Sequence, residues 1–92
     1  MSQVTVHIPS ALRGFADGSS ELAVEASSVR EALDRIGERH ELLLARILTR
    51  GGDLRPYVNI FLDERDIRSL DGLDTPTAGA RELMVVPSVA GG

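Results

Sequence analysis

The residues with the clearest chemical potential stand at the end of the chain, Gly91-Gly92. Glycine adds no side chain to a core and loses more conformational freedom on ordering than any other residue. A terminal pair of them behind a strand is odd as structure: the bland reading is a frayed terminus, and the position after a strand ending at Pro87 favours a functional one. As a bare tail, Ala90, Gly91 and Gly92 could thread a narrow active site on another protein, where any bulky Cβ would clash, and present the Gly92 carboxylate there.

Other residues offer less. His7 and His40 lie far apart, with no acidic partner at ligand spacing, and read as solvated rather than metal-binding. Gly51-Gly52 lacks the lysine and flanking pattern of a phosphate-binding loop and reads as a turn. The carboxylates Glu31, Asp34, Glu38 and Glu41 fall on the polar side of a predicted helix. No Ser-His-Asp arrangement stands out, and a catalytic pocket is not expected, so the chain does not read as an enzyme. The absence of cysteine removes disulfides, thiolate catalysis and Cys-based zinc sites. All 10 basic residues are arginine. No ε-amine is offered for Schiff-base chemistry or for side-chain isopeptide bonds.

The elements that must position this tail fit one small domain. A chain of 92 residues, 42% hydrophobic and 26% charged, suits a single modest core. With aromatics at 3%, that core must be built from Leu, Val, Ile and Ala. The net charge of −4, with both signs interleaved, argues against nucleic acid, which demands a concentrated basic face. No run approaches the ~18 apolar residues of a membrane span, and the N-terminus has no secretory features. The cytoplasm is the expected location.

Val4, Val6 and Ile8 alternate with polar residues as a half-buried strand that Pro9 ends. Residues 14–20 are turn-rich, and Glu21 to Glu25 alternates again, completing a hairpin. Ser28 and Glu31 fit a capping box ahead of Val29, Ala32, Leu33 and Ile36 at helical spacing. That helix should stop near Arg39 or His40, with Glu41 to Leu48 a short second helix or a continuation. Residues 49–56 form a loop. Val58, Ile60 and Leu62 mark a third strand, Asp66-Ile67-Arg68 a short edge strand, and 69–81 an irregular stretch with Leu70 and Leu73 turned inward. Glu82 to Val86 is the last strand, stopped at Pro87. The order predicts an α+β fold of the ubiquitin-like β-grasp type, a mixed four- to five-stranded sheet packed on one main helix. Its first and last strands would run side by side and parallel. Residues 1–87 form the expected domain and 88–92 a tail able to reach ~16 Å from it.

The chain resembles the MoaD/ThiS family of ubiquitin-like sulfur carriers, most of all its CysO-type branch in cysteine biosynthesis. The resemblance rests on Ile8-Pro9 with Leu12-Arg13, Val58-Asn59-Ile60-Phe61, Asp66-Ile67-Arg68, Gly72-Leu73-Asp74-Thr75 and the ending Val85-Val86-Pro87-Ser88-Val89-Ala90-Gly91-Gly92. It implies that an E1-like adenylyltransferase and sulfurtransferase activates the Gly92 carboxylate with ATP. A sulfur donor would then convert the acyl-adenylate to a thiocarboxylate. Adenylation makes chemical sense, because a carboxylate is a poor electrophile until it bears a good leaving group. The partner supplies the ATP and metal site, so this chain needs no cofactor. In the cysteine branch the acceptor would be a PLP-dependent cysteine synthase, and a metalloprotease would release the product. Thiamin, molybdopterin and thiosugar pathways use the same chemistry. A ubiquitin-like modifier and a passive interaction domain are the readings outside sulfur transfer.

Strand alternation assigns Val58, Ile60, Leu62, Leu83 and Val85 to the helix-covered face. Tyr57, Asn59, Phe61, Met84 and Val86 are left opposite, joined by Thr5 and His7. Apolar residues clustered there predict a docking surface for the activating enzyme, carried by Phe61, Met84, Val86 and Tyr57.

Overall fold

The computed structural model describes residues 2–87. Alternation in the first segment produces β1 (Ser2–His7), whose Val4 and Val6 are fully buried. It pairs antiparallel with β2 (Glu21–Ala26), Val4 opposite Val24 and Val6 opposite Leu22. The connection is more ordered than its glycines and polar residues suggest. Ser10–Ala16 winds into a 3-10 helix, because Leu12, Phe15 and Ala16 share one side of it and pack on the core.

Ser28 caps α1 (Val29–Gly37), its Oγ accepting from the Glu31 N–H at 3.1 Å. The expected reciprocal bond falls one residue upstream. Glu31 Oε1 accepts from the Ser27 N–H at 2.7 Å and from the Ser27 hydroxyl at 3.1 Å, while Ser28 forms a bridge with Pro76. Val29, Ala32, Leu33 and Ile36 are the buried stripe of the helix. It ends at Gly37, short of the expected Arg39 or His40, and α2 (Glu41–Ile47) follows as a separate short helix. A Cβ on Gly37 would overlap the Leu44 side chain, so glycine permits the two helices their close approach.

The remaining strands are β3 (Val58–Leu62), β4 (Arg65–Asp66) and β5 (Glu82–Pro87). The sheet order is β2-β1-β5-β3-β4, with β1 and β5 parallel and every other pair antiparallel. The last strand thus occupies the centre of the sheet. Val4, Val6, Val58, Ile60, Leu83 and Val85 line its inner face beneath α1 and α2. This mixed five-stranded sheet gripping one main helix is the β-grasp arrangement that the element order predicts.

The segment between β4 and β5 is where local pattern misleads. The edge strand is Arg65–Asp66 rather than 66–68, since Ile67 turns into the core and opens a 3-10 turn capped by the Asp66 side chain. Leu73 is buried as expected and Leu70 half-buried. Two threonines matter more. Thr77 is fully buried and donates its hydroxyl to the Ala26 carbonyl at 2.7 Å. The Thr75 carbonyl accepts from the Val29 N–H at 3.0 Å, and Thr77 N–H donates to the Ser27 carbonyl at 3.1 Å. The segment is thereby stitched to the start of α1.

Candidate functional site

The central strand carries the chain from Glu82 to Pro87, and Pro87 stands opposite Val58 at the start of β3. The strand that leads to the C-terminus therefore ends in the middle of the sheet rather than at an edge. Ala90, Gly91 and Gly92 lie outside the described residues.

Immediately before Pro87, the open face of the sheet bears the apolar residues that alternation predicts there. Phe61 faces Met84 and Asn59 faces Val86 across the β3–β5 pair, while His7 faces Met84 across the β1–β5 pair. Directly opposed side chains touch on a sheet face. Phe61, Met84 and Val86 thus form one patch, with Met84 47% exposed and its two neighbours half-buried. At the usual strand rise, Met84 is ~10 Å before Pro87.

Polar groups border the patch on both sides. On one side Arg68 donates from Nη1 to Asn59 Oδ1 and from Nη2 to the Arg55 carbonyl. On the other His7 lies between two carboxylates, Nε2 2.9 Å from Glu82 and Nδ1 3.5 Å from Glu21. The sheet supplies the acidic neighbours that His7 lacks in the sequence: Glu21 comes through the hairpin register and Glu82 through the parallel pairing. Among the described residues no group of three or more metal-ligating side chains could hold an ion. His40 is half-buried, 3.9 Å from Asp17.

Tyr57 sits apart from this patch. It precedes β3 and is 46% exposed. With Leu12, Leu42, Arg46, Arg55 and Pro87 it lines a groove of about 520 Å³ at the end of the sheet where β5 finishes. Strand alternation could not find this groove, since it brings α2 to the end of β3. The available signal was the run Leu42-Leu43-Leu44: three consecutive residues cannot all face one core from a helix. Leu43 is fully buried, and Leu42 is left 68% exposed.

Comparison with known proteins agrees with this geometry. The ThiS family model matches residues 6–92. A putative sulfur carrier protein of Archaeoglobus fulgidus is 30% identical over 89 residues, 97% of this chain and 98% of the relative. The sulfur carrier protein CysO of Mycobacterium tuberculosis is 28% identical over 91 residues, with the same coverage of 97% and 98%. Among solved structures, a chain of the BexX/CysO complex of Amycolatopsis orientalis superposes with a TM-score of 0.86 at 32% identity, covering 97% of this chain and 99% of that one. Small archaeal modifier protein 1 of Methanosarcina acetivorans gives a TM-score of 0.86 at 28% identity, over 100% of this chain and 98% of that one. The parallel β1–β5 pair, the β-grasp sheet and a family match that runs through the last residue lead to one conclusion: the chain belongs to the ThiS family.

Proposed function

We propose that the chain is a sulfur carrier, with residues 1–87 as its rigid body and 88–92 as the tail that enters partner enzymes. The Gly92 carboxylate attacks the α-phosphorus of ATP on an E1-like enzyme, pyrophosphate leaves, and an acyl-adenylate forms. Hydrosulfide from a donor attacks the carbonyl carbon, the bond from that carbon to the AMP oxygen breaks and AMP departs, and loss of the proton leaves a thiocarboxylate. Gly91 and Ala90 keep the approach free of bulk. The chain itself is substrate and carrier in this scheme, and the adenylating site belongs to the partner.

The observation that carries the reading is the position of β5. A strand held between β1 and β3 on both edges anchors the tail to the most constrained part of the sheet. The patch of Phe61, Met84 and Val86 on the open face serves as the docking surface for the activating enzyme. Similarity to CysO proteins supports cysteine biosynthesis as the destination. The sulfur acceptor there is a PLP-dependent cysteine synthase, and a metalloprotease frees the product from Gly92.

A second reading is supported by the likeness to small archaeal modifier protein 1. As a modifier, the chain would join Gly92 to lysines of other proteins. It could not build lysine-linked chains of itself, having no lysine. Incubation with the E1-like enzyme, ATP and sulfide distinguishes the two. Intact-mass measurement should show one oxygen replaced by sulfur at the C-terminus. Conjugates of higher mass in cell extract, without that replacement, would favour the modifier, and an unaltered protein under both conditions would leave only a passive domain.

A further inference from the structure

The groove at the end of β5 is separate from the open-face patch and has its own chemistry. Its exposed large hydrophobic side chains are Leu42, at 68%, and Tyr57, at 46%. Its two charged residues are both cations, Arg46 and Arg55, and no carboxylate lines it among the described residues. That composition is unusual on a chain whose net charge is −4. Both guanidinium groups are held in place before any partner arrives. Arg46 lies over the Phe15 ring, 4.8 Å from its centroid. Arg55 donates from Nε and Nη2 to the Ala45 carbonyl at 3.0 and 2.8 Å. Fixed cations lose little freedom when they meet a carboxylate, so they favour binding more than mobile ones.

Pro87 forms part of the groove wall. A protein that draws the last five residues into its active site must bring the mouth of that site against the groove, because five extended residues reach only ~16 Å. We propose that the groove receives an acidic segment at the active-site mouth of the enzyme that activates Gly92, one apolar side chain entering between Leu42 and Tyr57 and carboxylates meeting Arg46 and Arg55. A second copy of this chain docked groove to groove fits poorly, since that symmetric pairing would set the same two cations against each other. The inference rests on the carrier reading and adds a second contact, distinct from Phe61, Met84 and Val86.

ATP–pyrophosphate exchange catalysed by the activating enzyme tests it, with the carrier as the varied substrate. Leu42→Asp changes a largely exposed residue, and Arg46→Glu reverses a cation at the groove. Each should raise KM for the carrier at least about tenfold, with kcat at saturation little changed, since docking contacts contribute to association. Arg39→Glu makes the same charge change in the cleft between β2 and α1 and should leave KM within about twofold. Higher ionic strength should weaken the wild type and narrow its advantage over Arg46→Glu. Unchanged KM in both groove variants, or an equal effect from Arg39→Glu, overturns the groove while leaving the carrier reading in place. No exchange with the wild-type chain overturns both.

Discussion

The Glu31 carboxylate shows how one residue ties local sequence to a measurable property. Hydrogen bonds from the Ser27 N–H and then the Ser27 hydroxyl hold its pKa below the ordinary glutamate value, with the nearby Arg35 charge acting in the same direction. A carboxyl group whose folded pKa is depressed stabilises the fold above its unfolded pKa, and that contribution disappears as pH falls through the folded value. Glu31→Gln should therefore be less stable than wild type at neutral pH. The gap should close on acidification below about pH 4, the ordinary carboxylate range, as followed by urea denaturation across pH. At the open face, Phe61→Asp places a charge opposite Met84. Being half-buried on the side away from the core, it should cost about 1 kcal/mol of stability and leave circular dichroism unchanged while abolishing carrier adenylation. Normal adenylation kinetics in this variant would remove the open face from the docking surface.

Among the elements, the union of β3 with β5 depends on a turn residue. Asp63 adopts a left-handed backbone (φ 56°) that aspartate tolerates better than most residues. Its Oδ1 accepts from the N–H groups of Arg81 and Glu82, both at 3.1 Å, and its own N–H donates to the Glu82 carbonyl at 2.8 Å. Asp63→Ala should cost about 2 kcal/mol through lost acceptors and backbone strain. Asp63→Asn should retain most of the stability in the same melt, and equal losses in the two would refute the assigned role. The main elements were legible in the sequence because β1, β3 and β5 alternate cleanly and Ser28 announces α1. The Phe61–Met84–Val86 patch was legible for the same reason, as the face that alternation leaves over. Less legible were the features set by distant contacts. Asp63 reads as an ordinary turn residue until β5 is placed beside it. Thr75 and Thr77 look like loop residues until their carbonyl and amide meet the start of α1. Tyr57 reads as an outward strand residue, whereas the approach of α2 makes it a wall of the groove.

For the molecule as a whole, the sheet order sets the division of labour. A chain that closes its last strand between its first and third makes the sheet centre a fixed platform from which the proposed tail would start. Among the described residues no helix is long and apolar enough to cross a membrane. Two apolar patches of the described surface lie close to Pro87, one on the sheet and one at its end, so both proposed partner contacts fall at the same pole. The absence of cysteine suits an activated C-terminus, since no internal thiol can intercept it. The proposed route carries sulfur on the carboxyl carbon of Gly92. Its most direct test compares the full chain with one lacking only Gly92, each supplied with the activating enzyme, ATP, a sulfur donor and the acceptor synthase. The full chain should deliver sulfide into product and the shortened chain should deliver none, whereas delivery by the shortened chain at a comparable rate would contradict the account.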